Sequence, residues 1–476
     1  MNVGPVAVNT SDGTRTLVGG LVAGALIGVP AAAAAAIFES VLHGATTLVW
    51  NDVPDWFGWQ EPSWWYVVLV PALAGVIVAL ALRLPGHGGH SPLQGLSMEQ
   101  APPINVVSVL AVTLIALAGG IVLGPEAPLL ALGLTVGVVA ARALRATGPQ
   151  AMPLALAGAF AAMAGLFGGP LPVLLFFFEA VSASGRVPAA VVGRALLPGF
   201  VAAGVGSLVF TGVAGWPGVH EQSLGLPGLP DYPTVHVVDI LWSLPVAAIV
   251  AVAIASFRPA AAAVAARWSA PVLSRLVVAG LAIGSLAAVF RGLTDRPVDF
   301  VLFSGQAASG DYIAEGSAGV LLAVLAFKGA GYLLSLASGF RGGPIFPAIS
   351  LGCAAGVLGS HVLPGFALTP AAVAGIAAGS AAVSGLPFFG AVLATLLAGS
   401  VAAETAPIAI LAAVTAWLVG LGANNAWARQ GPDHPDVEPD DDQRPDRVVG
   451  DEEEVRDRAQ HRDRDRADAG PGGLAE

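Results

Sequence analysis

Charge is scarce in this chain. Only 11% of its 476 residues are Asp, Glu, Lys or Arg, against about 25% in soluble globular domains. With 55% hydrophobic residues and a mean hydropathy of +0.76, that scarcity excludes an ordinary water-soluble domain and describes an all-α polytopic membrane protein. Cysteine is almost absent: Cys353 stands alone in the small apolar run Leu351–Ala355, so no intrachain disulfide can form and the residue reads as packing. Lysine is represented by Lys328 only, and no basic patch offers a nucleic-acid surface. Little positive charge precedes the first apolar run, which is long, so no cleavable signal peptide is expected. No nucleophile and base fall close together in sequence. His87 and His90 have no carboxylate or thiol nearby to complete a metal site. An enzyme is disfavoured, and neither metal nor cofactor is expected.

The acid that is present is unevenly placed. The formal net charge is −11, but residues 430–476 hold 16 Asp/Glu and 7 Arg, so the tail carries −9 and the remainder only −2. A segment of Pro, Asp, Glu and Arg cannot bury enough apolar surface to order itself, and the tail is expected to be disordered.

Apolar segments fill the rest. They run at about 16–50, 63–84, 103–122, 127–145, 153–181 and 188–215, and resume at 237–257, 274–290, 317–338, 345–364, 369–400 and 406–422. A Pro/Gly-rich connection from Trp216 to Thr234 separates the two sets. A spanning helix needs about 20 residues, and many of these segments are longer or carry internal Gly and Pro. Tilted, broken or paired short helices are therefore expected. Dense small residues, as in Ala31–Ala36 and Ala371–Ala382, suit close helix approach in lipid.

Breaks recur at corresponding places. Gly124-Pro-Glu-Ala-Pro128 interrupts the first half and Gly342-Gly-Pro-Ile-Phe-Pro347 the second; later come Gly168-Gly-Pro-Leu-Pro172 and Gly385-Leu-Pro-Phe-Phe-Gly390. Paired interruptions point to repeated halves with a site near the membrane midplane. The organisation expected is a polar N-terminus (1–15), a first membrane repeat (16–216), the connection (217–236), a second repeat (237–426) and the tail (427–476).

Three of the breaks carry candidate chemistry. Glu126 is a carboxylate at a proline-bracketed helix start. It can be a plain helix cap, but a carboxylate beside free helix amides can also compete with an anion for them and step aside when protonated. The loop Pro85–Pro92 packs three glycines and two prolines into eight residues, and Gly88, Gly89, His90, Ser91 and Pro92 could form an anion-binding nest. The loop 338–347 opens a helix with amides at Ile345 and Phe346; Arg341 there is expected at an aqueous mouth. Glu179 and Lys328 read as structural or interfacial, and Glu404 as a solvated loop residue.

These breaks, in this order and spacing, resemble the CLC family of chloride channels and anion/proton exchangers, over about residues 16–426. Gly124-Pro-Glu-Ala-Pro128 is similar to that family's G-[K/R]-E-G-P, with Glu126 at the gating glutamate and Gly124 and Pro128 supporting it. Gly88-Gly-His-Ser-Pro92 sits where the family has G-S-G-I-P, Gly343-Pro-Ile-Phe-Pro347 where it has G-x-F-x-P, and Gly168–Glu179 where it has N-A-P-L-A-G-x-L-F-x-x-E. The resemblance implies a bundle of tilted and broken helices in two inverted-topology repeats, a homodimer with one anion path per subunit, and chloride as the bound ligand without a cofactor. It implies a multi-pass plasma-membrane protein whose tail is cytoplasmic.

The departures mark a divergent bacterial branch. The family's anion-binding serine falls on Gly89 or His87, according to which end of its motif is aligned. Pro344 has no N–H, which leaves Ile345 as the better donor. The family's gate tyrosine near the end of the membrane region has no counterpart. The tyrosines are Tyr66, Tyr232, Tyr312 and Tyr332, and the last segment runs Gly420-Leu-Gly-Ala-Asn-Asn425. The inner proton glutamate of the exchangers, one residue after Glu179, is Ala180. A chloride channel gated by Glu126, a chloride/proton antiporter, and a transporter selective for fluoride or nitrate all stay open, with Ala180 favouring the first.

Overall fold

The computed structural model describes residues 10–95, 103–146, 151–185, 189–213, 225–226 and 228–430. The first nine residues, residues 216–224 of the connection and the tail from 431 lie outside them. The described residues up to Asn425 belong to one compact unit.

The described chain is helical. Its helices are α1 (Thr10–Thr47), α2 (Val53–Trp56), α3 (Trp64–Ala81), α4 (Pro103–Ala118), α5 (Glu126–Ala143), α6 (Ala151–Leu166), α7 (Pro170–Ala183) and α8 (Ala189–Val213). They continue with α9 (Val237–Arg267), α10 (Val272–Thr294), α11 (Ala308–Ala314), α12 (Ala318–Ser338), α13 (Ile345–Val362), α14 (Leu368–Ser384), α15 (Pro387–Leu397) and α16 (Ala402–Gln430). Among the described residues, eight stretches are long and apolar enough to cross a membrane, and six further apolar helices are shorter. The long apolar runs 153–181 and 369–400 are each a helix pair, α6–α7 and α14–α15. Gly385, at φ +73°, closes α14 in the left-handed region that glycine adopts without strain, and Pro387 opens α15 two residues later. Helix α11 falls in a stretch that hydropathy alone leaves as a connection. Its seven residues include Asp311 and the buried Tyr312.

Glycine sets how closely the helices approach. Gly133 and Gly137 of α5 face the backbones of Gly158 and Ala155 on α6. Gly352 and Gly356 of α13 face Gly375 and Ala371 on α14. A methyl group at any of the four would overlap a carbonyl oxygen across the interface. Small-xxx-small spacing lets backbones touch where lipid supplies no hydrophobic drive between helices. The two pairs keep one register: Gly133 and Gly137 lie 9 and 13 residues after Gly124, and Gly352 and Gly356 lie 9 and 13 after Gly343.

Of the charged groups inside this bundle, Lys328 takes a structural place and Glu404 departs from its expected one. Lys328 is fully buried, and its ammonium donates to the carbonyls of Val301 (3.4 Å), Leu302 (3.0 Å) and Phe303 (3.4 Å). Glu404, expected in a solvated loop, lies in the first turn of α16 with Oε2 buried and without a hydrogen-bond partner. The apolar residues on both sides let the helix begin at Ala402, four residues before the apolar run at 406–422.

Candidate functional site

The site forms where two helix starts meet. Residues 119–125, between α4 and α5, are not helical, because Gly119-Gly120 and Gly124-Pro125 punctuate the run. The segment is held open from several sides. The Trp50 indole N–H donates to Ala118 O (2.8 Å), Phe303 N–H donates to Gly120 O (3.3 Å), and Val122 N–H donates to Ser335 Oγ on α12 (3.2 Å). At its end Gly124 N–H donates to Gly343 O (2.8 Å) and Gly343 N–H donates to Gly124 O (2.7 Å), an isolated antiparallel bridge. Each glycine is followed by a proline at a helix N-cap, Pro125 for α5 and Pro344 for α13. The bridge therefore sets the first turns of α5 and α13 side by side.

Glu126 is the first residue of α5, and its carboxylate crosses to α13. Oε1 accepts from Ile345 N–H (2.5 Å) and Phe346 N–H (3.1 Å). These are amides of the first helical turn, which have no partner within their own helix and sit at its positive end. Glu126 is 0% exposed, and Oε2 is buried without a hydrogen-bond partner. Gly124 and Gly343 form the walls: a methyl group on either would overlap the Glu126 side chain. Tyr332 on α12 donates its hydroxyl to Pro344 O (2.9 Å). Pro128 and Pro347 occupy matching positions in the first turns of α5 and α13 and are buried, as is Phe346, whose ring stacks on Phe167.

This geometry decides what the site can do. Two N–H groups at a helix N-terminus can hold a carboxylate or an inorganic anion, but the same donors cannot serve both. A proton on Glu126 removes the carboxylate's charge and its claim on them.

Among the sequence candidates, Glu126, Gly124, Pro128, Gly343, Ile345 and Phe346 come together here. The loop 85–92 spends its donors elsewhere. His87 N–H goes to Leu84 O (3.0 Å), Gly88 N–H to Ser108 Oγ on α4 (3.3 Å) and Gly89 N–H to Gly86 O (2.9 Å). Ser91 caps the short 3-10 turn Pro92–Gln94: its Oγ accepts from Leu93 N–H, and its own N–H donates to Gln94 Oε1. Arg341 is half-buried, with Nε enclosed and without a hydrogen-bond partner. Glu179 repeats the Glu126 arrangement on another pair of helices. From α7 it accepts N–H groups of Phe388 (3.0 Å) and Phe389 (2.7 Å) at the start of α15.

Sequence reasoning missed Tyr332, Ser335 and Glu39. Glu39 lies inside α1, with Oε1 buried and no hydrogen-bond partner. One carboxylate within a long apolar helix is the signal that could have found it.

Fold and site together define a polytopic membrane protein with a buried carboxylate at converging broken helices. The family model described as voltage gated chloride channel matches residues 85–420, and the chain belongs to that family of anion transport proteins. Relatives named for ion transport (YfeO) include one from Salmonella newport, 30% identical over 363 residues, covering 72% of this chain and 79% of the relative. One from Escherichia coli is 29% identical over 361 residues, with 73% and 79% covered. Solved structures of the same fold include a slow cyanobacterial Cl−/H+ antiporter (TM-score 0.70, 17% identity, 86% of this chain and 97% of that one). A CLC-type fluoride/proton antiporter is also similar (TM-score 0.65, 19% identity, 86% and 96%).

Proposed function

We propose that the protein moves small inorganic anions, chloride first among them, through a membrane path gated by Glu126. The observation that carries this is the Glu126 carboxylate resting on the Ile345 and Phe346 amides. An ionised Glu126 occupies the place an anion needs. A protonated Glu126 leaves it, and the helix N-terminus of α13 then takes the anion. Gly343 gives the anion room beside those amides. The anion is cargo, and no cofactor is required.

Passive, channel-type flux is the preferred form, because Ala180 stands where the exchangers carry their inner glutamate. Chloride/proton exchange is the alternative, supported by the unpaired, buried Oε2 of Glu126, where a transported proton would sit. Selectivity for fluoride or nitrate is a further alternative, supported by Gly89 or His87 standing where the family has its anion-binding serine. We place the protein in the plasma membrane as a homodimer with its tail in the cytoplasm. Its mass in mild detergent tests the dimer.

Purified protein in liposomes decides among these forms. Anion efflux and proton uptake are followed in one preparation, with chloride, fluoride and nitrate in turn. Glu126→Gln is expected to abolish the pH dependence of flux; an unchanged pH profile sinks the gating role. Stoichiometric proton movement would replace the channel reading with exchange.

A further inference from the structure

Tyr332 and Glu126 bind opposite ends of one peptide group. The Tyr332 hydroxyl donates to the carbonyl oxygen of Pro344 at 2.9 Å, and the N–H of the same peptide, carried by Ile345, donates to Glu126 Oε1 at 2.5 Å. We infer that Tyr332 is a positioning residue of the anion site: its hydroxyl polarises the Pro344–Ile345 peptide and so sets how strongly the Ile345 N–H holds a carboxylate or anion.

The physics follows from amide resonance. A donor at a carbonyl oxygen draws charge along the O–C–N system, strengthens the partial C–N double bond and makes the N–H a better donor. Bonds chained through one peptide in a low-dielectric interior reinforce one another. This turn has few donors to share the load, because Pro344 has no N–H. The Ile345 amide is therefore half of the pair that holds the ligand, and the half that Tyr332 can tune.

The phenol is fixed for this task. Tyr332 is 2% exposed, and its ring packs edge-on to Phe257 at 5.2 Å. One helical turn further on, Ser335 accepts the N–H of Val122, so one face of α12 holds both segments that make the site. The sequence contains no counterpart of the family's gate tyrosine near the end of the membrane region. Tyr332 reaches the site from a different helix, and it acts through a peptide group, without needing to touch the anion.

The inference rests on the anion-transport reading of the site, and the test separates the two. Full-length protein is prepared as wild type, as Tyr332→Phe, and with 3-fluorotyrosine at 332, which is a stronger donor of nearly the same shape. The chemical shift of the Ile345 amide proton is read in each with Glu126 intact. Chloride affinity is read by calorimetry with the same three side chains in a Glu126→Gln background. Phe is expected to weaken chloride binding about two- to tenfold, the range of one hydrogen bond, and to move the Ile345 proton upfield. Fluorotyrosine is expected to shift both in the opposite sense. A residue that only fills space would respond alike to both changes or to neither, and either result overturns the assignment. Failure of the Glu126→Gln protein to bind chloride would count against the transport reading, and the order of Ile345 shifts would still judge Tyr332.

Discussion

Gly124 and Gly343 stand opposite each other and exchange backbone hydrogen bonds in both directions, at 2.8 and 2.7 Å. They are separated by most of the membrane region in sequence, yet each precedes a proline that opens a helix. Neither holds a left-handed backbone, so their lack of a side chain serves space: the Glu126 carboxyl group occupies the volume where either Cβ would lie.

Substituting alanine at Gly343 or Gly124 should therefore evict the carboxylate while leaving the backbone bridge intact. The pH dependence of anion flux should flatten toward that of Glu126→Gln, whatever the absolute rate, and the Ile345 and Phe346 amide signals should lose their carboxylate partner. A Gly343→Ala protein that keeps both the wild-type pH profile and those signals would show that the Glu126 seat is not where the bridge places it.

Much of this site was legible in the sequence, for a physical reason. Glycine and proline act on the chain next to them, so 124–128 and 343–347 announce helix starts, and a carboxylate in the first of them stands out against an apolar background. What local pattern cannot carry is the partner. The Glu126–Ile345 bond spans 219 residues, and nothing near Tyr332 indicates that its hydroxyl meets Pro344. Lys328 was equally opaque: its neighbours are apolar helix residues, and its acceptors are carbonyls of a separate loop. The 88–92 loop shows the converse. Its glycines mark a turn correctly, but several of its donors are used within the turn and by Ser108.

Lys328 should matter for stability more than for transport. Its ammonium satisfies three buried carbonyls in residues 301–303, and Phe303 in turn bonds Gly120 at the approach to the site. Lys328→Met leaves those acceptors unpaired, a loss of about 1–3 kcal/mol, read as a lower unfolding midpoint in detergent. Lys328→Gln, which keeps two N–H donors, should lose less. Equal midpoints for Met and wild type would show that the three carbonyl bonds contribute nothing.

Glu179 offers a control for the role of Glu126, because both carboxylates cap a helix across the two halves of the chain. Glu179 is half-buried and sits on the start of α15. Glu179→Ala should cost about 0.5–2 kcal/mol, as for a lost N-cap, and should leave the pH profile of flux in place. If it instead erased the pH dependence as completely as Glu126→Gln, gating could not be assigned to the Glu126 carboxylate alone.

The ion pair of Arg296 and Glu315 makes a prediction about pH and stability that is independent of transport. It lies in the connection between α10 and α12, with Arg296 Nε at 2.6 Å from Oε2 and Nη2 at 3.3 Å from Oε1, and Ser317 N–H adds a bond at 2.9 Å. The guanidinium hydrogen bond holds the Glu315 carboxyl below its ordinary value of 4.5. A carboxyl group depressed in the folded state contributes stability at pH above its unfolded value, and loses it as pH falls through the folded value. The stability advantage of wild type over Glu315→Gln should therefore be constant from neutral pH down to about 4.5, the ordinary value of the group, and should shrink below it. Unfolding midpoints of the two proteins, measured side by side across that range, check this. An advantage that persisted undiminished at the acid end would mean that the carboxylate's charge is not what holds this connection together.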